Sequence, residues 1–556
     1  MSFQDISLVI VAAGIFGLIA KFFKQPLLVG YLFAGIILTT LGVLKDSESF
    51  NALSQIGVTL LLFLMGMQIN IREILGIGKI AVVAGLGQVI ITTVLGFLIS
   101  RILGFSTSSS VYISVALTFS STIIMVKLLS DKKDLGSLYG QLAVGILLVQ
   151  DLVAILILMF LSGVSQGKVT FIDYAFIIIK ALALFLGVWY LSKKVIPSFF
   201  EKAFAQNAEL LFIGSLAWAF GFTSFISGPL NFSMEIGGFL AGLSLSGLPE
   251  HLQIVSKTKP LRDFFLTIFF FALGSQLLIG PNLTTILPIA VIFSAFVLFG
   301  NPLIIMSILG YLGYKKRTSF LTGLTVAQIS EFSFILMAMG KSIGHLNETD
   351  VSVVILVGVI TMTLSTHIYI NADNIYSKLS KYLNIFERNI IKEKAYLTNT
   401  DMENHIVLVG CDRTGSSILP FLRSKNFTFV VVDFNPQVFR WLSSENIPII
   451  FGDINDEDIQ EAANIKKARM VISTVSDYSD NIHLLESLSS ESDIITLFTA
   501  TERREAVKLY ERGATFVIVP EIVAGDYIKN LLRLRRNNNE NWIKLGKNHF
   551  NRLIST

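Results

Sequence analysis

The sequence predicts a polytopic α-helical membrane protein of about 13 transmembrane helices, followed by a cytosolic α/β domain of Rossmann type. Three observations carry this. Apolar windows long enough to span a bilayer recur through the first two thirds of the 556 residues. The chain is 53% hydrophobic and only 15% charged, with a mean hydropathy of +0.67, against about 25% charge in a soluble protein. After about residue 375 charges become frequent and apolar runs shrink to strand length. The expected organisation is a membrane domain over 1–375, a linker over 376–403, the α/β domain over 404–525 and a basic tail over 526–556.

Spans are expected near 5–22, 26–43, 52–69, 80–104, 110–129, 139–162, 171–192, 209–228, 232–247, 263–281, 284–311, 318–340 and 350–371. The positive-inside rule tests the count. With the N-terminus outside and the C-terminal domain in the cytosol, the inner loops and span ends hold Lys21, Lys24, Arg72, Lys79, Lys127, Lys132, Lys133, Lys193, Lys194, Lys202, Lys257, Lys259, Arg262, Lys315, Lys316 and Arg317. The outer ones hold Lys45, Arg101, Lys168 and Lys341, so the bias is sixteen to four. A miscounted span would scramble that alternation. The first apolar run has no basic flank before it and no small-residue cleavage site, and reads as a retained span. The net charge of +4 points away from nucleic acid, and a single cysteine, Cys411, forms no intrachain disulfide.

The membrane part contains an internal repeat. TLLLFLMGMQI (59–69) resembles TIFFFALGSQL (267–277), 208 residues on. VGYLFAGI (29–36) resembles IGGFLAGL (236–243), and ALT (116–118) resembles GLT (323–325), both 207 residues on. The pairs lay span 2 on 9, span 3 on 10 and span 5 on 12. Equivalent spans are seven apart, and an odd separation inverts one half relative to the other. The expectation is an inverted repeat of about 5–162 and 209–371 joined by a linker helix over 171–192, with a substrate site between the halves near the midplane.

The polar residues that interrupt apolar spans mark that site. Span 5 reads LTFSSTII, with Thr118, Ser120, Ser121 and Thr122; span 12 reads LTVAQISEFSF, with Thr325, Gln328, Ser330, Glu331 and Ser333. Interruptions at matching places in two halves point to a pair of broken helices, whose hydroxyls and free carbonyls replace water around a monovalent cation. A single Ser or Thr in a membrane helix also serves simply to bond the preceding turn. Asp151, beside Gln150, lies inside the apolar run of span 6. An intramembrane acid costs about 2.5–3.5 kcal/mol on insertion scales and is functional by default, the alternative being an ion pair with another span. A carboxylate facing a water-filled funnel holds either a proton or a cation, and competition for it couples the two fluxes. Glu331 either joins this site or pairs with a lysine such as Lys180.

The C-terminal part reads HIVLVGCDRTGSSILPFLRSKNFTFVVVD over 405–433: strand, Gly turn, helix, strand. Asp433 falls 23 residues after Gly410, where an acid holds ribose hydroxyls. Strands near 448–451, 469–473, 495–499 and 516–519 extend this to a doubly wound parallel sheet. One residue breaks the G-x-G-x-x-G fingerprint. Gly410 and Gly415 stand in place, but the middle glycine is Asp412, whose carboxylate repels phosphate; Arg413 offsets it or the fold has lost its ligand and mediates assembly. The tail reads as a dimer helix, a membrane-surface segment or disorder. No catalytic His or Lys follows the Rossmann unit at a recognisable position, so the chain is not expected to be an enzyme.

The membrane part resembles the monovalent cation:proton antiporter-2 family through LLVGYLFAGI, IGVTLLLFLMGMQI, LTFSSTIIMVKLLSD, GQLAVGILLVQDLVAI, PLRDFFLTIFFFALGSQL and AQISEFSF. Its union with a C-terminal nucleotide-binding domain resembles the Kef-type potassium-efflux branch, and HIVLVGCDRTG, VVVD, FGD and VISTVSD resemble the TrkA-N (RCK/KTN) domain. The resemblance runs from about residue 5 to 525. It implies the antiporter fold, with spans 5 and 12 crossing at the site and Asp151 carrying the ion or proton. It implies a homodimer held by spans 1–3 and 8–10 while spans 4–6 and 11–13 move. In the TrkA-N part it implies that Gly410, Arg413, Gly415, Asp433 and Asp453 line a site for NAD(H), AMP, ADP or ATP that gates transport. Electrogenic relatives carry a lysine about where this chain has Asn301, and Asp-Asp where it has Gln150-Asp151, which suggests electroneutral exchange here. A second TrkA-type domain is not expected after residue 525, and glutathione control does not carry over by residue.

The expectation is thus a cell-membrane K⁺ or Na⁺/proton antiporter working by alternating access, with Gln150, Asp151, Thr118, Ser120, Ser121, Thr122, Gln328 and Glu331 at its ion site. Two alternatives stand beside it: a ligand-gated K⁺ efflux channel on the same scaffold, and a non-transporting, membrane-anchored nucleotide sensor.

Overall fold

A computed structural model describes residues 3–42, 50–68, 78–132, 134–135, 137–163, 184, 187–188, 190–203, 207–230, 232, 234–277, 283–386, 402–454, 457–475, 477–488, 493–534, 542–547 and 549–550. The chain forms two compact units, one built from Met1–Leu135 and Tyr139–Asn389, the other mainly from Ile390–Thr556.

The first unit is helical because its apolar runs are long and lack the period-2 alternation of strands. Its helices are α1 (Phe3–Phe22), α2 (Leu27–Thr40), α3 (Asn51–Gln68), α4 (Gly78–Ile102), α5 (Thr107–Ala116), α6 (Thr122–Asp131), α7 (Leu138–Gly163), α8 (Ile196–Ala203), α9 (Ala208–Ser227), α10 (Met234–Leu245), α11 (His251–Ser275), α12 (Leu283–Ala295), α13 (Asn301–Tyr311), α14 (Lys316–Leu324), α15 (Glu331–Ser342), α16 (Glu348–Ile370) and α17 (Ala372–Leu379). Among the described residues six helices are long and apolar enough to cross a membrane: Gln4–Phe22, Lys79–Ile102, Leu138–Leu158, Ala208–Ser227, Leu283–Tyr311 and Glu348–Ile370. Most of the expected linker helix over 171–192, including Lys180, lies outside the described residues.

Two departures from the expected spans have local causes. α11 starts at His251, well before the expected 263. Ile254 and Thr258 are buried one turn apart while Lys257 and Lys259 stay exposed, so an amphipathic stretch extends the apolar span. The expected span 284–311 is interrupted by a π turn, Phe296–Gly300, just before Pro302. Proline lacks an N–H and its ring clashes with the preceding turn, and a wide turn there accommodates both effects.

Small residues set the packing of α2, α3, α10 and α11. A Cβ on Gly35 of α2 would run into the Phe271 carbonyl oxygen of α11, and one on Gly242 of α10 into the Phe63 carbonyl oxygen of α3. A Cβ on Gly66 would meet the Phe239 oxygen, and one on Gly274 the Leu32 oxygen. Gly35 and Gly242 are 207 residues apart, Gly66 and Gly274 208. The carbonyl partners follow the same offsets, so one backbone-to-backbone contact is built twice at the spacing of the repeated segments. In lipid such close approach drives helix association, because apolar burial alone does not.

The second unit is a six-stranded parallel sheet in the order β3-β2-β1-β4-β5-β6. It runs β1 (Ile406–Val409), α18 (Arg413–Ser424), β2 (Phe429–Asp433), α19 (Pro436–Ser444), β3 (Ile449–Phe451), α20 (Glu457–Ala462), β4 (Met470–Ser473), α21 (Tyr478–Leu488), β5 (Ile495–Thr499), α22 (Arg503–Glu511), β6 (Phe516–Ile518) and α23 (Pro520–Leu534). β1 pairs with β2 (Ile406 to Phe429) and with β4 (Ile406 to Met470), so the order reverses beside β1. Helices cover both faces, which is why the strands read as unbroken apolar runs. Val407, Val430, Val471 and Phe498 face one buried cluster; Ile406, Leu408, Val431 and Ile472 face the other.

Candidate functional site

The polar interruptions of the two repeats meet. α5 stops at Ala116 and α6 starts at Thr122, leaving 117–121 without helix; α14 stops at Leu324 and α15 starts at Glu331, leaving 325–330. Both helices restart on a serine. Ser121 Oγ accepts from the Ile124 N–H at 3.3 Å, and Ser330 Oγ from the Phe332 N–H at 3.2 Å. A cap of this kind satisfies one donor that a helix start leaves orphaned.

The non-helical segments cross in direct contact. Ser120 Oγ donates to the Val326 carbonyl at 3.2 Å, and Ser121 Oγ to Glu331 Oε1 at 2.8 Å. The last carbonyls of α5 and the residues after it would be orphans in lipid. Three side chains from other helices take them. Ser333 Oγ donates to the Ala116 carbonyl at 2.6 Å, Asn301 Nδ2 to Leu117 at 3.1 Å and Gln88 Nε2 to Thr118 at 3.2 Å. A chain of neutral groups links these donors. Gln150 accepts from the Ser120 N–H at 3.0 Å and donates to Gln88 Oε1 at 2.8 Å, while Thr92 Oγ1 donates to Asn301 Oδ1 at 2.9 Å. On the other strand of the crossing, Ser365 Oγ donates to Gln328 Oε1 at 2.9 Å.

Two acids stand at the restarted helices. Asp151 is 5% exposed and Glu331 4%. Asp151 Oδ2 accepts from Thr122 Oγ1, at the first residue of α6, at 2.8 Å. Glu331 opens α15 and also accepts from Ser330 Oγ at 3.2 Å. Helix N-termini carry partial positive charge, which favours both carboxylates. The two acids lie within electrostatic reach of each other, and Arg262 of α11 lies within reach of Glu331. Arg262 itself is hydrogen-bonded to Asp263 through Nε at 2.9 Å. Among the described residues no ion pair reaches Asp151. A buried carboxylate with a hydroxyl partner and no ion pair among the described residues is a group that can hold a proton or a cation.

In the second unit the turn after β1 has Rossmann geometry. Gly410 adopts φ +80°, which glycine tolerates, and a Cβ on Gly415 would collide with the Gly410 carbonyl oxygen. Asp433, at the end of β2, is 7% exposed. Its Oδ2 accepts from the Cys411 N–H and its Oδ1 from the Asn435 N–H, both at 2.7 Å. Thr474 Oγ1 donates to the Gly410 carbonyl at 2.8 Å, tying the turn to the end of β4 at the switch point. Asp453 follows Gly452 after β3 and is half-buried; the Arg413 side chain lies outside what the structure describes.

The family model for the transmembrane region of sodium/hydrogen exchangers matches residues 7–371, about two thirds of the chain. The chain belongs to the sodium/hydrogen exchanger family. A TrkA-N domain model matches residues 406–520 of the exchanger. It is 27% identical over 525 residues, 92% of its length and 94% of the relative's, to the "Putative cation/proton antiporter YbaL" of Escherichia coli (strain K12). It is 29% identical over 364 residues, 65% of its length and 83% of the relative's, to the iron transporter MagA of Paramagnetospirillum magneticum (strain ATCC 700264 / AMB-1). To K(+) efflux antiporter 5 of Arabidopsis thaliana it is 29% identical over 377 residues, 65% of either chain.

The exchanger's crossing brings Ser120, Ser121, Thr122, Gln150, Asp151, Gln328 and Glu331 together. The Thr118 hydroxyl instead bonds back to the Ser114 carbonyl at 2.9 Å and lies 3.1 Å from Thr93 Oγ1, while its carbonyl accepts from Gln88 of α4. Gln88 and Thr92 are not among the residues the sequence marks; Asn301 is marked there for its lack of charge and Ser333 as a polar interruption, neither as the donor to a carbonyl of the crossing. The usable signal was a Gln and a Thr one helical turn apart inside an apolar run. In the exchanger's TrkA-N domain, a Rossmann-type nucleotide-binding fold, the turn fits a nucleotide's ribose end, since Asp433 keeps acceptor capacity beyond its two bonds. Asp412 stands where the motif has its middle glycine, and its carboxylate disfavours a phosphate there.

Proposed function

We propose that the protein is a K⁺ or Na⁺/proton antiporter of the cell membrane that works by alternating access and is regulated through its cytosolic TrkA-N domain. The observation that carries this reading is Asp151: a buried acid with a single hydroxyl partner, Thr122, and no basic one among the described residues. Such a group exchanges one proton for one monovalent cation without changing its surroundings in charge. The Ser121 hydroxyl and the Gln328 side chain supply further oxygens for the cation, and Glu331 lies beside them. Gln150 and Gln88 hold the 117–121 segment in place. When spans 4–6 and 11–13 move against spans 1–3 and 8–10, Asp151 faces each side in turn; the carboxylate releases its proton on one side and takes the cation there. The N-terminus lies outside, the TrkA-N domain in the cytosol, and two copies pair.

The neutral Asn301 favours electroneutral exchange. A basic side chain in its place would alternate charge with Asp151, whereas an amide hydrogen-bonded to Leu117 and Thr92 does not titrate. The name of the Arabidopsis relative supports K⁺. Dissipation of a pH gradient in proteoliposomes on adding K⁺ or Na⁺ tests the proposal. Wild-type protein collapses the gradient with at least one of them, and Asp151→Asn abolishes this while keeping the fold. Equal dissipation by the variant would remove Asp151 from the mechanism, and flux of cation without protons would make the protein a channel.

A further inference from the structure

The Gly turn of the TrkA-N domain keeps its shape but carries a negative charge where the motif has bare backbone. Asp412 occupies the N-cap of α18, makes no capping bond and is exposed. α18 runs for 12 residues, so its N-terminus has the partial charge that draws an anion. An anion of the chain's own already stands at that end. Behind it lies a second carboxylate, Asp433, bonded to the Cys411 and Asn435 N–H groups. Burial, aided by the charge of Asp412, holds the Asp433 carboxyl above its usual range against those two bonds. Burial and both acids push the Cys411 thiol up to about 11. Among the described side chains the charges at the turn are thus negative, the Asp412 backbone sits at φ −85° and ψ −109°, and Gly415 still lets the helix close on the strand.

We propose that Asp412 sets the charge of the ligand this domain accepts, selecting an uncharged nucleoside, held through its ribose by Asp433, over nucleotides with phosphate at the turn. The proposal rests on the reading of the TrkA-N domain as a nucleotide site and names the class of ligand. Like charges a few ångströms apart at a protein surface weaken binding by about tenfold or more, so the penalty grows with each phosphate brought to the turn. Asp412→Asn removes the charge and keeps the side chain; Asp412→Gly also restores backbone access.

The test is calorimetry and thermal shift on the full-length protein in detergent, without divalent cations, using adenosine, AMP, ADP and NAD. Wild type is expected to bind adenosine about tenfold or more tighter than ADP or NAD. Both variants should tighten ADP and NAD by a similar factor and leave adenosine unchanged. Wild type preferring ADP or NAD, or variants that move all four ligands alike, overturns the proposal. If all three proteins bind adenine ligands without regard to charge, this inference falls and the nucleotide site stands. If none of the three binds any of them, the nucleotide-site reading falls too. Neither readout depends on transport.

Discussion

At the scale of the residue, the crossing is held by neutral amides. Gln88 is the busiest of them: its Nε2 donates to the Thr118 carbonyl and to Thr92 Oγ1, and its Oε1 accepts from Gln150. Fully buried polar groups of this kind are inexpensive only while every partner is present. Gln88→Ala leaves the Thr118 carbonyl and the Gln150 amide unpaired in a dry site. Each orphaned group costs about 1–3 kcal/mol, so the variant should melt at clearly lower temperature in a detergent thermal-shift assay. It should also exchange more slowly, since Gln150 then no longer fixes the Ser120 N–H. An unchanged melt would mean that water replaces the glutamine at no cost. On the proposed mechanism Gln88 is a positioning residue, and its loss should leave the dependence of exchange on pH where it was, because Asp151, the proposed titrating group, is untouched.

At the scale of the element, α17 fastens the ends of two helices that belong to the crossing. Asp373 Oδ2 accepts from Lys132, which follows α6, at 3.2 Å, and its Oδ1 from Arg317, in α14, also at 3.2 Å. Burial around Asp373 raises its carboxyl, but Lys132 and Arg317 outweigh that and hold it below the usual range. An acid whose folded value is depressed stabilises fully above its unfolded value, near 3.9, and loses that contribution as pH falls through the folded one. The side chain is 47% exposed, so solvent screening limits the clamp to about 1 kcal/mol. Asp373→Asn should therefore lower the melting temperature slightly at pH 7, and the gap to wild type should close in acid. A gap that stays constant from neutral pH down through the acid range would assign the effect to packing instead. The sequence made some elements legible and others not, for physical reasons. Residues 406–409 and 495–499 read as strands because both sheet faces are apolar, and the structure has the same bounds. The breaks at 117–121 and 325–330 were visible as hydroxyl clusters. What stayed hidden was pairing across the chain: Asn301 reaches Leu117 over 184 residues and Ser333 reaches Ala116 over 217. Nothing local marks a carbonyl that will need a distant donor. The π turn before Asn301 was equally invisible, since its cause is an accommodation around Pro302 and not a composition.

At the scale of the whole molecule, the chain joins two units whose interiors are stabilised by different physics. The helical unit packs through backbone contact at Gly35, Gly66, Gly242 and Gly274 and through satisfied polar groups, as lipid requires. The TrkA-N unit relies on apolar burial from water. Its two clusters on either side of the sheet are built from residues between Met402 and Val519, with Val407, Val430, Val471 and Phe498 on one side and Leu408, Val431 and Leu422 on the other. Asn481 rivets the ends of β4 and β5 from inside, accepting from Ser473 Oγ at 2.7 Å and donating to the Val475 and Thr499 carbonyls at 2.9 Å. A unit with its own closed core and satisfied interior has what it needs to fold alone. Residues 402–534 expressed by themselves should give a soluble protein with mixed α/β circular dichroism and one cooperative denaturant transition of about 5–15 kcal/mol. Asn481→Ala, which strands two carbonyls and a serine, should lower that value by about 1–3 kcal/mol. The complementary piece, residues 1–386, should still dissipate a pH gradient in proteoliposomes, because every group at the crossing lies within it, but should no longer respond to ligands of the TrkA-N domain. Aggregation of the isolated domain, or loss of exchange by a well-folded 1–386, would show that the site depends on the second unit for more than regulation.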